Sequence, residues 1–224
     1  MTVCLPTAEM PPLAPPAVRP AEGSDLADIG RIAYATGFFG ESAARFFPDE
    51  VLFRHLWVNP YFLDQSAVRL VAPREGKLLG YIVGATDQTR YARALRFTLT
   101  RQVLPYLLRG RYQRPLACLP YLARLLFSEV PHAPADLYPA HLHINLLPQA
   151  RGLGLGQQLL EAYLEELRTR GVPGVQLSTT RENVAALRLY EKAGFSVYAE
   201  HASPLWTPWL GRPAVHVVMA KELP

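Results

Sequence analysis

The sequence predicts one mixed α/β domain, with a central sheet of six to seven strands flanked by helices. Three observations carry this reading. Strand-like and helix-like patterns alternate along the chain in the order β-α-α-β-β, insertion, β-α-β-α-β-β. A glycine-rich turn at 149–156 joins a strand-like run to a helix-like run. The length, 224 residues, and a 50% hydrophobic content suffice for one substantial core.

The elements follow in order. Residues 1–16 carry prolines at 6, 11, 12, 15 and 16 and no apolar run of signal-peptide length, so they read as a disordered tail. The single domain is then 17–224. Residues 17–21 read as a strand and 24–29 open a helix that Ser24 or Asp25 can cap. The run 42–53 reads as a second helix. Residues 67–72 and 78–85 are strand-like, with a hairpin turn at 73–77. An insertion, 87–138, has leucine spacings of two helices with a break near Gly110. The later strands are expected at 141–147, 175–179, 195–200 and 214–221, with helices at 157–170 and 183–193.

The glycine turn is the strongest chemical signal. Glycines bring backbone close to a ligand, and the first N–H groups of a helix lack intrahelical partners, so such a turn suits phosphate. Two common phosphate loops are excluded. A P-loop needs Lys followed by Ser or Thr after its last glycine, and Gly156 is followed by Gln157-Gln158. A dinucleotide fingerprint needs a third glycine at Gln157 or Leu159. What remains is Gln-x-x-Gly-x-Gly at Gln149, Gly152 and Gly154. Downstream, Asn183 and Tyr190 lie two helical turns apart and share a face, and Gly194 suits the end of that helix.

The two blocks, Gln149-x-x-Gly152-x-Gly154 and Asn183-x-x-Ala186-x-x-x-Tyr190-x-x-x-Gly194-Phe195, resemble the signatures of the GNAT superfamily of N-acetyltransferases. The resemblance covers most of the chain and implies the GNAT fold, with the helical insertion between the third and fourth strands. The stretch 138–148 after a helical insertion also looks like the acetyltransferase-like C-terminal domain of O-GlcNAc hydrolases and its free-standing bacterial relatives.

The resemblance implies acetyl-CoA as donor and coenzyme A as product. It implies an acyltransferase of the EC 2.3.1 type that moves an acetyl group to a primary amine by direct attack in a ternary complex. The N–H groups of Arg151, Gly152, Leu153, Gly154, Leu155, Gly156 and Gln157 would hold the pyrophosphate, with Gln149 in the same signature. Asn145, Leu146 and Leu147 would pair with the pantetheine arm, Leu146 N–H would bind the oxyanion, and Asn183 would bond the arm's amides. Tyr190 would be the general acid.

The base is read from the residues. His141, His143 and Asn145 alternate and share one strand face. If Leu142, Ile144 and Leu146 pack into the core, His141 or His143 faces the cleft and can accept an ammonium proton. Glu41, Asp49, Trp57 and Tyr61 could line an acceptor pocket. The other reading is a pair of strand histidines that are bonded locally.

Other chemistry is poorly supported. Cys4 and Cys118 are isolated, so no metal site and no reactive thiol are expected, and their scarcity fits a reducing cytoplasm. Apolar stretches are broken by Arg and Pro before membrane length, so no membrane partner is expected. Between Gln88 and Ser128 there are eight Arg and no Asp, Glu or Lys. That could be a lid over an anion, a nucleic-acid face, or simply a solvated surface in a chain with 20 Arg and 3 Lys. With a net charge of +4 and no nucleic-acid motif, nucleic acid is not the expected partner. A small-molecule or peptide amine is expected as acceptor, and a homodimer is left open. The alternative to the enzyme is a non-catalytic acyl-CoA-binding or interaction module on the same fold.

Overall fold

A computed structural model describes residues 18–128 and 131–224. The expected tail, including Cys4, lies outside the described residues. Seven strands form one sheet in the order β1-β2-β3-β4-β5-β7-β6. They are β1 (Arg19–Pro20), β2 (Val68–Arg74), β3 (Lys77–Ala85), β4 (Ala140–Leu146), β5 (Gly174–Thr180), β6 (Ser196–Ser203) and β7 (Ala214–Glu222). All neighbours are antiparallel except β4 and β5. The last strand in sequence inserts between β5 and β6, which leaves β6 at the edge.

The helices are α1 (Leu26–Thr36), α2 (Glu50–Trp57), α3 (Asn59–Leu63), α4 (Gln88–Thr98), α5 (Leu104–Leu108), α6 (Leu119–Leu126), α7 (Leu155–Thr169), α8 (Val184–Lys192) and α9 (Thr207–Leu210). One hydrophobic layer joins α1, α2 and α6 to the sheet face carrying Tyr81, Val83 and Ala85. The other joins α7 and α8 to the face carrying Ile82, Leu142 and Leu177. Alternation along β3 and β4 divides the two layers.

Several boundaries differ from expectation. Neither Ser24 nor Asp25 caps α1 through its side chain: Asp25 instead accepts from Glu22 N–H at 2.8 Å and pairs with Arg19 at 2.7 Å. The expected helix over 42–53 is interrupted. A 3-10 turn at Ala43–Arg45 stops ahead of Pro48, and α2 starts afresh where Asp49 caps Leu52 N–H at 3.0 Å. In the insertion, α4 runs through a π turn (Leu99–Val103) into α5. The wider turn lies just ahead of Pro105, whose ring crowds the preceding helical turn. α5 then ends in a turn at Gly110, where φ is 62°, with Gly110 N–H on Leu107 C=O and Arg111 N–H on Tyr106 C=O, both at 3.0 Å. The short α9 was not foreseen.

The layer under β4 is tightly built. Tyr163 Oη donates to the carbonyl of His141 at 3.2 Å. A Cβ at Gly84 would overlap that same hydroxyl. Gly84→Ala should therefore cost about 1–3 kcal/mol in urea unfolding. Gly23→Ala, where a Cβ meets nothing within 4 Å, should leave the midpoint unchanged. Equal midpoints for the two variants would refute this account of the contact.

Candidate active site

β4 and β5 pair at only two positions, Ala140↔Val175 and His141↔Gln176, and then part. β5 remains paired to β7 over its whole length, and β4 remains paired to β3. Leu147 N–H donates to Leu79 C=O at 2.8 Å, which sets the alternation along β4. With that register, Asn145 exchanges hydrogen bonds with β3, while the N–H and C=O of Ile144 and Leu146 point into the opening. Of the three residues expected to offer backbone to a ligand, only Leu146 does so. Asn145 and Leu147 border the cleft but spend their backbone on β3.

The glycine turn closes one end of this opening. A 3-10 turn, Pro148–Ala150, leads into Gly152 (φ 75°) and Gly154 (φ 70°), left-handed conformations that favour glycine. The first bond into α7 runs from Gln158 N–H to Gly154 C=O at 3.1 Å. The N–H groups of Leu155, Gly156 and Gln157 are therefore left at the helix start. Gly156 lies between Leu146 and Leu189, each 3.4 Å from where its Cβ would stand. A cavity of about 420 Å³ is bordered by Arg151, Gly152, Gly154 and the first turn of α7 on one side, and by Asn183 and Tyr190 on the other. A Cβ at Gly152 would meet nothing within 4 Å, so the turn's outer face is open space. Gln149 and Leu153 do not border it. Gln149 faces a separate groove beside α1, and Leu153 packs on the α7 core.

Tyr190 is buried on α8, and Asn183 precedes that helix without a side-chain cap bond, its side chain bordering the cleft. The helix ends in a Schellman motif, with Gly194 N–H on Glu191 C=O and Phe195 N–H on Tyr190 C=O, both at 3.0 Å. Burial raises the Tyr190 pKa far above its usual value, so the phenol keeps its proton.

A second cavity, of about 250 Å³, adjoins the first, and Thr36, Phe39, Ile144, Asn145, Asn183 and Tyr190 border both. Its walls are aromatic. Phe46 lies 4.5 Å from Tyr121 and 4.9 Å from Trp206, and Phe53 stacks on Trp57 at 4.7 Å. His143 and His216 border it, and no carboxylate does so among the described residues. His143 is reached by solvent through the cleft, while the protein packed around it draws its pKa down towards the neutral imidazole.

His141 is placed differently. It shares a 3.0 Å hydrogen bond with Tyr61 and packs edge-on against Tyr91, with ring centroids 4.7 Å apart. Burial, then His143 and His132, lower its pKa to about 3. Of the four residues expected near the acceptor, Trp57 borders the cavity. Tyr61 is buried under His141, Asp49 caps α2, and Glu41 is exposed beside Arg45.

Sequence reasoning missed the network that fixes the cleft's outer wall. Tyr81 Oη donates to Asn145 Oδ1 at 3.1 Å, Asn145 Nδ2 to Thr36 Oγ1 at 2.8 Å, and Thr36 Oγ1 to Ile32 C=O at 2.7 Å. It also missed Trp206, Phe46 and Tyr121. Nothing in their local sequence marks them, since they meet only through the tertiary fold. Cys118 is buried and its thiol pKa is pushed up to about 11 by burial, which makes it unreactive. Among the described residues no three His, Cys, Asp or Glu side chains are grouped to hold a metal, and no helix is long and apolar enough to cross a membrane.

The fold is the one shared by solved GNAT acetyltransferases. Residues 123–195, about a third of the chain, match the family model described as "Acetyltransferase (GNAT) family". The structure titled SsHAT superposes with a TM-score of 0.66 at 28% identity, covering 93% of this chain and 98% of that one. The structure of yncA, a putative acetyltransferase from Salmonella typhimurium with its cofactor acetyl-CoA, shares the fold with a TM-score of 0.57, 18% identity and coverage of 93% and 94%. Among relatives by sequence, the mycothiol acetyltransferase of Thermomonospora curvata is 52% identical over 56 residues, 25% of this chain and 19% of the relative. That of Cellulomonas flavigena is 34% identical over 102 residues, 43% of this chain and 29% of the relative. The chain thus spans less than a third of the length of these relatives.

The His141 geometry has a consequence for stability. Its folded pKa lies below the unfolded value near 6.5, so the unfolded chain binds the extra proton. Stability from this group is complete above about pH 6.5 and drains away as pH falls towards about 3. His141→Gln should flatten the loss of melting temperature over that window. A parallel loss in parent and variant would assign the acid sensitivity elsewhere.

Proposed function

We propose that the chain is an acetyl-CoA-dependent N-acetyltransferase that passes the acetyl group to a primary amine by direct attack in a ternary complex. The observation that carries this reading is adjacency. The cavity at the unpaired N–H groups of the glycine turn and the aromatic cavity share the walls formed by Ile144, Asn145, Asn183 and Tyr190.

The residues fit the coenzyme. The helix start at Leu155, Gly156 and Gln157, with Gly152 and Gly154 leaving open space beside it, suits a pyrophosphate. The backbone of Ile144 and Leu146 and the side chain of Asn183 suit an amide-bearing arm. The coenzyme supplies a thioester whose carbonyl carbon accepts the amine.

The chain's own groups handle charge and protons. Leu146 N–H, aimed into the opening, is the donor for negative charge on the attacked carbonyl oxygen. Tyr190 holds its proton at neutral pH and returns it to the departing sulfur. His143 stays neutral and so keeps a lone pair for the ammonium proton, directly or through water, and its lowered pKa makes it a weak but always available acceptor. His141, held by Tyr61 away from the cavity, positions the strand instead. The aromatic walls favour an acceptor amine carrying an apolar or planar portion. A small-molecule or peptide amine meets that description.

A second reading keeps the coenzyme and drops the reaction. The lack of a carboxylate around the acceptor cavity among the described residues, together with the depressed His143, favours a coenzyme-binding module. Calorimetry with acetyl-CoA and thiol release over an amine panel separate the two. Binding with steady release supports the enzyme, binding without release on any amine supports the module, and no binding defeats both.

Tyr190→Phe should lower turnover by about a hundredfold or more while coenzyme affinity stays within about twofold. Unchanged turnover would remove the phenol from the acid role. Gly152→Val, strained at φ 75°, should weaken coenzyme binding more than it lowers the melting temperature.

A further inference from the structure

The geometry points to the tip of the helical insertion as a docking face for an anionic lipid bilayer. Of fourteen exposed large hydrophobic side chains among the described residues, nine lie between Phe97 and Phe127. The densest group flanks the turn at Gly110 in sequence. Leu104, Leu107 and Leu108 on α5 are 49%, 47% and 78% exposed, and Leu116 and Leu119 across the turn are 76% and 52% exposed. Arg109, Arg111 and Arg114, all exposed, lie in the connection between these leucines.

Within residues 88–128 the charge has one sign, and Asp49 at the cap of α2, whose carboxylate takes Arg114 N–H, is buried. Residues 88–128 contain eight Arg and no Asp, Glu, Lys or His. Seven of those arginines are exposed, Arg124 being half-buried on the carbonyls of Pro204 and Leu205. A row of leucines beside arginines is the composition of a helix that lies in the headgroup region, apolar side chains in the acyl boundary and guanidinium groups on phosphates. A phosphate backbone of nucleic acid would satisfy the arginines and leave the leucines in water. A second copy of the same face would bring like charges together. The expectation of no membrane partner rested on the lack of a spanning segment, and docking on a surface requires none.

The tip is also held to the body well enough to transmit such an attachment. His55 Nδ1 and Tyr112 Oη lie 2.7 Å apart, Asn59 Nδ2 donates to Gln102 Oε1 at 2.7 Å, and Arg114 N–H donates to Asp49 Oδ2 at 2.9 Å.

The test is flotation of the full chain with phosphatidylcholine vesicles, with and without phosphatidylglycerol, across a salt series. Binding is expected on the anionic vesicles and should weaken as salt rises. Leu108→Glu with Leu116→Glu should lower that binding by about tenfold or more with the melting temperature unchanged. Arg109→Gln with Arg114→Gln should reduce both the binding and its salt dependence. Three results would overturn the proposal: equal binding to neutral and anionic vesicles, no binding to either, or leucine variants that bind as the parent does. Retention on soluble polyglutamate that survives the leucine changes, without vesicle binding, would mark a purely electrostatic protein-binding face and count against a bilayer. A concentration-dependent dimer abolished by the leucine changes, again without vesicle binding, would count against it in favour of self-association.

Discussion

The separation of β4 from β5 is the constraint on which the rest of the molecule depends. Each strand is bound along its length to its outer neighbour, β4 to β3 and β5 to β7, yet they share two positions. An unpaired backbone group kept dry costs about 1–3 kcal/mol, so such a gap persists only where water or a ligand takes the bonds. The fold keeps the gap from closing on both faces. On one, α7 starts at Leu155 and packs under β4 through Tyr163. On the other, Asn145 is tied to Tyr81 and Thr36, which fastens β4 to β3 and to the end of α1.

Given that gap, the placement of polar groups follows from strand periodicity. Pairing with β3 consumes the backbone of Asn145 and Leu147, and the register therefore turns Ile144 and Leu146 towards the opening. Side chains obey the complementary rule. Even-numbered residues of β4 face α7, and odd-numbered ones face α1 and α3. His141, His143 and Asn145 thus share a face but not an environment. Tyr61 and Tyr91 cover His141, the Thr36 network holds Asn145, and His143 alone of the two histidines borders the cavity. Burial keeps the His141 imidazole neutral and leaves a phenol at Tyr190 with a proton to give, and the protein packed around the solvent-reached His143 lowers its pKa too.

Much of this was legible in the residues because local rules decide it. Gly152 and Gly154 adopt left-handed conformations that favour glycine, and the turn they form was visible from their spacing. Asn183 and Tyr190 border one cleft because seven residues make two helical turns. The helical insertion and its turn at Gly110 were legible from leucine spacing for the same reason. What was not legible depended on partners remote in sequence. Gln149 sits in the same signature as the glycines, yet its own 3-10 turn directs it to a groove beside α1. Leu147 matches its neighbours in type, and only its bond to Leu79 removes it from the open backbone. Pro48 breaks the run over 42–53, which reads as one helix in the sequence. The strand pattern at 195–200 and 214–221 could not reveal that β7 would enter the sheet ahead of β6.

The insertion follows a different logic from the sheet. Its inward residues border the cleft: Tyr121 stands in the wall of the aromatic cavity against Phe46 and Trp206, and Cys118 is buried. Its outward residues are apolar where a solvated helix would be charged, and its arginines have no acidic partners within the segment. In a chain kept only for solubility, leucines at 76% and 78% exposure on either side of one turn would be disadvantageous, because each invites aggregation without adding to the core. The insertion therefore packs Tyr121 against the aromatic cavity and leaves a leucine-rich surface exposed. α6 contributes to both, with Leu119 exposed at its start and Tyr121 two residues on in the wall of the aromatic cavity.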